Sequence, residues 1–334
     1  MKYNITDIAK LAGVSKATVS RVLNNSKPVS DEIRSRVLEV VKETNFKPSQ
    51  LARSLSSKQT KLIGVIVPDI SNPVFSQIIN GIEVEAYKKG YNVLLCNSNN
   101  KEDTELNYLE VLLNKEIDGL IYNGFKITDN LKLKLKEFHV PVVMTGIGEE
   151  QSNFPVIKID NFKAANDAVS FLIQKGHKKI GMIHGPVNDP LSGKLRLEGY
   201  YQALKDNNLE VEKNFIQEGN YKISSGYKSM TNILSLVEKP TAIFCANDEM
   251  AIGAIKCIID HGYKVPNDYS IIGFDNIELS EIYSPSLTTI SQSFYNEGES
   301  AMRVIISMLN KDKHIPKEIV HDHKLIERET VKKI

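Results

Sequence analysis

Few groupings in this 334-residue chain could do covalent chemistry. His321 and His323 stand two apart, a spacing open to a metal pair, but a strand whose alternate residues face solvent accounts for it. His177, after Gly176, reads as the start of a strand rather than a base. Cys96, Cys245 and Cys257 are odd in number, lie in apolar surroundings and form no C-x-x-C pair, as expected of reduced core thiols in a cytoplasmic protein. No G-x-x-x-x-G-K-[ST] phosphate loop, helix-opening G-x-G-x-x-G or G-x-S-x-G elbow occurs. The expectation is therefore a non-enzyme needing no cofactor and no metal. What remains is a run of side chains near the N-terminus, Thr6, Ser15, Lys16, Ala17, Thr18, Ser20 and Arg21, suited to phosphates and base edges rather than to catalysis.

Short helices must position that run. Thr6 is a candidate N-cap, with Ile8, Ala9, Leu11 and Ala12 at helical spacing and Gly13 ending the helix. Ser15 caps a second helix, Lys16 to Leu23, with Val19, Val22 and Leu23 inward and Lys16, Ala17, Ser20 and Arg21 outward. Two such helices around a glycine turn make a helix-turn-helix. Ser30, with Glu32 close behind, starts a third helix to about Asn45, striped by Ile33, Val37, Val40 and Val41. Pro48 ends the unit, and Ser49 to Ser57 is a helical pattern too short to fold alone.

From Lys61 apolar runs alternate with amphipathic helices. The first series is Leu62 to Val67, helix Pro73 to Lys89, Tyr91 to Cys96, helix Thr104 to Lys115, Gly119 to Tyr122 and Val140 to Thr145. The second opens with Val156 to Ile159, helix Phe162 to Lys175, Ile180 to His184 and helix Leu195 to Asn207. It continues with helix Ser224 to Val237, Ala242 to Cys245, helix Met250 to His261 and Tyr269 to Phe274. Strands buried on both faces and followed by helices predict an α/β body of parallel doubly wound sheets, in two lobes with a ligand cleft between them. The tail, Leu287 to Ile290, helix Asn296 to Asn310 and Glu318 to Ile326, is placed as crossing back between the lobes.

Composition fits this division. Net charge is +1, but residues 1–60 hold 11 basic and 5 acidic side chains while the rest holds 31 and 36. A basic head is joined to an acidic body, and the head is the nucleic-acid candidate. With 41% hydrophobic residues, 19 Gly, 12 Pro and 3 Cys, the chain is not collagenous, disordered or disulfide-stapled. No run of about 18 apolar residues reaches across a bilayer and no apolar signal core opens the chain, so a soluble intracellular protein is expected, with no membrane partner.

The stretch from Thr6 to Asn24, TDIAKLAGVSKATVSRVLN, resembles the DNA-binding head of the LacI/GalR family of bacterial transcription regulators. The likeness continues through Pro48, Ala52-Arg53-Ser54-Leu55, Ile63 to Pro68, Asp69 to Pro73, Gly176-His177, Ala246-Asn247-Asp248, Gly273-Phe274-Asp275 and Pro285 to Ile290. It implies a helix-turn-helix domain at 1–48 and a hinge helix with linker at 49–60. It also implies an effector-binding and dimerisation domain at 61–334, resembling periplasmic sugar-binding proteins. Lobe one is expected at about 61–160 plus 292–320 and lobe two at about 161–291 plus 321–334. By the same resemblance Lys16, Ala17 and Arg21 read bases, with Arg21 able to grip a guanine in bidentate fashion. Ser15, Thr18, Asn24 and Ser30 meet phosphates, alongside Thr6 and Ser20. Leu55 is the apolar wedge in the minor groove, and Ala52 the small residue that lets two hinge helices meet.

Sugar hydroxyls are held by carboxylates, amides and guanidinium groups, with an aromatic face against the ring. The positions matching effector contacts are Asn72, Phe75, Asn123, Thr145, Arg196, Asn247, Asp275, Gln292 and Phe294. Thr145 replaces an acidic residue found in several sugar-responsive members, which leaves the effector's identity open. The resemblance implies a homodimeric repressor of carbohydrate-utilisation genes on a pseudo-palindromic operator, cytoplasmic and nucleoid-associated when bound. A sugar or sugar phosphate would shift the lobe angle and with it operator affinity. A variant uses a phosphocarrier protein as corepressor: Arg303 resembles a docking residue, although Ser307 replaces the basic residue expected one turn later. A sugar-binding protein without DNA function is the remaining rival. Deleting residues 1–60 separates the two in a mobility-shift and ligand-binding assay: a regulator loses DNA binding and keeps its ligand, whereas a binding protein loses nothing.

Overall fold

The structure is a computed structural model that describes residues 3–24, 28–46, 59–124, 126–146 and 154–334. The chain divides into two compact units, Met1–Lys61 and Leu62–Ile334. The smaller contains α1 (Ile5–Leu11), α2 (Lys16–Asn24) and α3 (Asp31–Glu43) around a core of Ile8, Ala9, Ala12, Val19, Val22 and Val37. The first helix begins earlier than Thr6. Asn4 is its cap, accepting the Thr6 and Asp7 N–H groups at 2.8 and 3.2 Å, while the Asp7 carboxylate accepts the Asn4 N–H at 2.9 Å. This reciprocal box satisfies donors at both of its ends, which a cap at Thr6 could not do because Ala9, three residues on, has no side-chain acceptor, and it leaves Thr6 exposed in the first turn. Gly13, at φ +63°, makes the left-handed step between α1 and α2.

In the larger unit, one sheet has the strand order β11-β5-β4-β3-β1-β2 and the other β12-β10-β9-β8-β6-β7. The first sheet comprises β1 (Leu62–Val67), β2 (Asn92–Asn97), β3 (Gly119–Asn123), β4 (Val142–Thr145), β5 (Val156–Ile159) and β11 (Glu318–His321), and belongs to lobe one. The second comprises β6 (Ile180–His184), β7 (Ile216–Glu218), β8 (Ala242–Cys245), β9 (Ser270–Asp275), β10 (Thr288–Ser291) and β12 (Lys324–Ile326), and belongs to lobe two. Ladders are parallel except β10 with β12, so the second sheet is not wholly parallel. The stretch Glu318 to Ile326, expected as one element, is two strands in different sheets. His321 therefore ends β11, while His323 sits between the strands and bonds Asp167 at 2.9 Å; they do not alternate on one strand.

The helices are α4 (Pro73–Lys88), α5 (Glu102–Asn114), α6 (Asp129–Leu135), α7 (Asn161–Gln174), α8 (Gly193–Asp206), α9 (Ile223–Leu234), α10 (Asp248–Asp260), α11 (Glu278–Ile282) and α12 (Phe294–Leu309). Neither α6 nor β7 is foreshadowed by the apolar pattern, being 7 and 3 residues long. His177 packs as a structural residue, its ring bonded to Thr241 and to the Lys332 carbonyl. All three cysteines are buried.

Chain crossings between the lobes lie side by side. One leaves β5 at Ile159, one leaves β10 at Ser291 and one joins β11 to β12; Ile159 is in register with His321, and Ser291 with Lys324. Helices α4 and α12, flanking the second crossing, touch backbone to backbone. A Cβ on Gly81 would sit 2.1 Å from the Tyr295 carbonyl oxygen, and one on Gly298 2.0 Å from that of Ile78. This approach turns Phe75 and Ile78 of α4 and Phe294 and Glu297 of α12 toward one space. Gly298→Ala should cost about 1 to 3 kcal/mol by overpacking, read as a lowered midpoint in denaturant unfolding.

Candidate functional site

In the smaller unit the outward face of α2 carries no acidic residue. Ser15 caps it: its Oγ accepts the Thr18 N–H at 3.1 Å and shares a hydrogen bond with Thr18 Oγ1 at 2.9 Å. Lys16, Ala17 and Arg21 are exposed, with Ala17 and Arg21 four apart on one face. Ser20 is half-buried rather than fully outward. Ser30 occupies the cap position of α3, yet its hydroxyl makes no capping bond. Asn24 closes α2, but its side chain lies outside the described residues, as do Ala52 and Leu55.

In the larger unit an open cavity enclosing about 720 Å³ has walls from both lobes. It receives Asn72, Phe75, Asn123, Arg196, Asn247, Asp275, Gln292 and Phe294. Thr145 is fully buried behind this wall and does not line it; its Oγ1 accepts from Asn123 Nδ2 at 2.7 Å and so sets that amide's orientation. Asn72 and Asn247 cap α4 and α10, accepting the Val74 and Met250 N–H groups, each at 3.0 Å. Asn247 also donates to the Tyr221 carbonyl at 3.0 Å, so both ends of its amide are occupied.

Arg196 is the centre of the lobe-two wall. It is buried, donates from Nε to Asn161 at 2.8 Å and from Nη1 to the Ala246 carbonyl at 2.5 Å, and lies 3.7 Å over the Phe274 ring. Its Nη1 is 3.6 Å from Asp275, which also accepts from Gln292 Nε2 at 2.7 Å. Burial pushes the Asp275 carboxyl up, and the guanidinium opposes that rise. Asp275 holds φ +115°, a backbone strain tolerated where the surroundings fix the residue.

Between the lobes, Lys222 Nζ of lobe two donates to Asp69 of lobe one at 2.8 Å. Tyr221, just before it, donates to Asp189 at 2.7 Å, and Asp189 in turn holds the Leu191 and Ser192 N–H groups at 3.1 and 3.0 Å.

Several wall residues escaped sequence reasoning: Asn161, Tyr221, Lys158 and Glu297 chief among them. Asn161 and Lys158 flank the first crossing, and a polar residue beside a strand end was the available signal. Glu297 was hidden because the helix was placed from Asn296, where an early glutamate reads as a solvated partner of the helix dipole. Burial instead pushes its carboxyl up to about 8.

Comparisons with known proteins follow the same division. Residues 4–49 match the family model described as bacterial regulatory proteins, lacI family. Residues 60–329 match that of periplasmic binding proteins and the sugar-binding domain of the LacI family. The chain is 41% identical over 312 residues to catabolite control protein A of Priestia megaterium, covering 93% of this chain and 94% of that one. It is 38% identical over 332 residues to the HTH-type transcriptional repressor PurR of Mannheimia succiniciproducens, covering 99% of each. Among solved structures, the lac repressor dimer bound to operator and the anti-inducer ONPF superposes with a TM-score of 0.91 at 28% identity, covering 99% of this chain and 100% of that chain.

Arg196→Lys keeps the charge but cannot reproduce the fork that serves Asn161, Ala246 and Asp275 together. It should destabilise the chain by roughly 1 to 3 kcal/mol, the cost of leaving a buried acceptor unsatisfied, measured by urea unfolding.

Proposed function

The chain belongs to the lacI family of bacterial regulatory proteins, and from that premise we propose how its two units divide the work of a ligand-controlled switch. It is a DNA-binding transcriptional regulator and not an enzyme. In our reading residues 1–48 bind operator DNA, 49–60 form the hinge and 61–334 bind effector and dimerise. Lys16, Ala17 and Arg21 read base edges, while Thr6, Ser15, Thr18, Ser20, Asn24 and Ser30 hold phosphates. The exposed Ser30 hydroxyl, unused by its own helix, and the acid-free face of α2 support this. Ala52 and Leu55 act at the minor groove between two hinge helices.

The observation that carries the reading is that one cavity has walls from both lobes. A ligand that touches both lobes changes the free energy of the angle between them, and only such differential contact can shift an equilibrium. Asn72, Phe75, Asn123, Arg196, Asn247, Asp275, Gln292 and Phe294 are the effector contacts, with Thr145 acting through Asn123. The effector is a carbohydrate, and the regulated genes are those of carbohydrate use, with the chain acting as their repressor. A sequence-reading helix with few direct base contacts needs two half-sites for useful discrimination, which calls for a homodimer on a pseudo-palindromic operator. Exposed apolar residues on both lobes, Tyr87, Leu95 and Val111 on one and Ile259, Tyr263 and Ile282 on the other, offer that contact. No described helix is long and apolar enough to cross a membrane. The protein acts in the cytoplasm and joins the nucleoid when bound to its operator.

Identity to a catabolite control protein favours one second reading, corepression by a phosphocarrier protein docking at Arg303. Arg303 is exposed on α12, although its guanidinium is already bonded to Glu299 at 2.8 Å and lies 3.8 Å from Glu85.

An operator selected from random duplexes, titrated with protein with and without saturating ligand, tests the switch: ligand should move the midpoint by about 5- to 150-fold, and an unmoved midpoint overturns it. On the same operator Arg21→Ala should weaken binding by about 1 to 3 kcal/mol and relax preference at one base pair.

A further inference from the structure

Glu297 stands in the first turn of α12, 6% exposed, at the lobe-one wall of the cavity. It shares the wall with the apolar Phe75, Ile78 and Phe294, and burial alone shifts its carboxyl, no hydrogen bond or ion pair among the described residues opposing it. Every other charge nearby is answered. Arg196 is committed to Asp275, Asn161 and the Ala246 carbonyl. Lys158 is paired with Glu318 across β5 and β11. The charged residues on the packed faces of α4 and α12, Glu85, Lys88, Glu299 and Arg303, pair with one another.

A carboxyl held in an apolar wall without a partner is costly unless a ligand supplies one. A phosphate would bring an anion against Phe75, Ile78 and Phe294 and beside a carboxyl that has no cation of its own to receive it. A sugar hydroxyl would meet the uncharged carboxyl with a neutral hydrogen bond of ordinary strength. An ammonium favours the ionised carboxylate and meets it with a charge-assisted hydrogen bond of roughly twice that strength.

We propose that Glu297 is a specificity-determining residue of the cavity and that the effector presents a protonated amine to it, as an amine-bearing carbohydrate does and a sugar phosphate does not. The inference rests on the reading that this cavity takes a carbohydrate effector. Burial pushes the Glu297 carboxyl up to about 8, so an ammonium that pairs with the carboxylate drives its ionisation near neutral pH. The Glu297 O–H proton leaves to solvent, and the carboxylate formed accepts the ligand's N–H.

The test uses the full chain slightly below neutral pH and matched hexose sets, each comprising a neutral sugar, its 2-amino-2-deoxy counterpart and its 6-phosphate, in the gluco, galacto and manno series. Isothermal titration in two buffers of different ionisation heat reads affinity and proton release together. The amine-bearing member of one series should bind at least about tenfold more tightly than its neutral partner and release a proton to the buffer. Glu297→Gln, similar in shape, should lose both the preference for the amine over the neutral sugar and the proton release. Tightest binding of a phosphate or a neutral sugar, or an amine preference without proton release, overturns the role of Glu297 and leaves the carbohydrate reading standing. The proton release is read on the unmodified chain, so a poorly folded variant does not decide the question. Failure of all nine sugars to bind overturns the carbohydrate reading and this inference with it.

Discussion

A guanidinium taken out of water needs partners for its N–H donors, and Arg196 draws them from the ends of several elements of the second lobe. Asn161 comes from the start of α7, the Ala246 carbonyl from the end of β8, and Phe274 and Asp275 from the end of β9. Gln292 adds the crossing that leaves β10. Each partner is the first or last residue of its element, or next to it, so the requirement of one side chain fixes where several strands stop and helices start. The cavity wall is a by-product of that satisfaction. A group with this many obligations cannot readily follow a ligand, and its side of the cavity is correspondingly fixed.

Much of this was legible from residue pattern because the signals were strong where burial was complete. The strand Leu62–Val67 and the helices beginning at Pro73 and near Asn161 are set by continuous apolar runs and by periodicity, and tertiary packing has nothing to override. Short elements failed: α6 and β7 contain too few residues to display a period, and the tail Glu318 to Ile326 reads as one run because the change of sheet at Asp322 and His323 leaves no composition mark. The cap at Asn4 rather than Thr6 turned on a partner three residues later, Asp7, which suits an amide as well as a hydroxyl. Within the site, residues that protrude at strand ends were readable, whereas Tyr221 depends on a left-handed turn, φ +65°, and Glu297 on which way α4 and α12 lean, set by the glycines at 81 and 298, whose meaning appears only once their neighbours are known.

The near-neutral total charge conceals two opposite local fields, and the structure adds a finer version of the same lesson. Inside the cavity, cations and carboxylates also cancel nearly one for one, and the residue that does not cancel carries the information. In the head the relevant quantity is likewise local, a helix face without a single acid, since attraction to a duplex decays within about one Debye length, roughly 10 Å at ordinary salt.

The three crossings run side by side, with Ile159 beside His321 and Ser291 beside Lys324, and this has a mechanical meaning. Two bodies joined along a narrow seam of parallel ribbons can swing like pages on a spine, but they cannot slide or twist freely. On the proposed reading, a ligand in the cavity then speaks to the rest of the chain through one variable, the opening between the lobes. Molecules of unlike shape become equivalent instructions if they set the same opening, and evolution can rewrite the vocabulary of the pocket without retuning the machinery that listens.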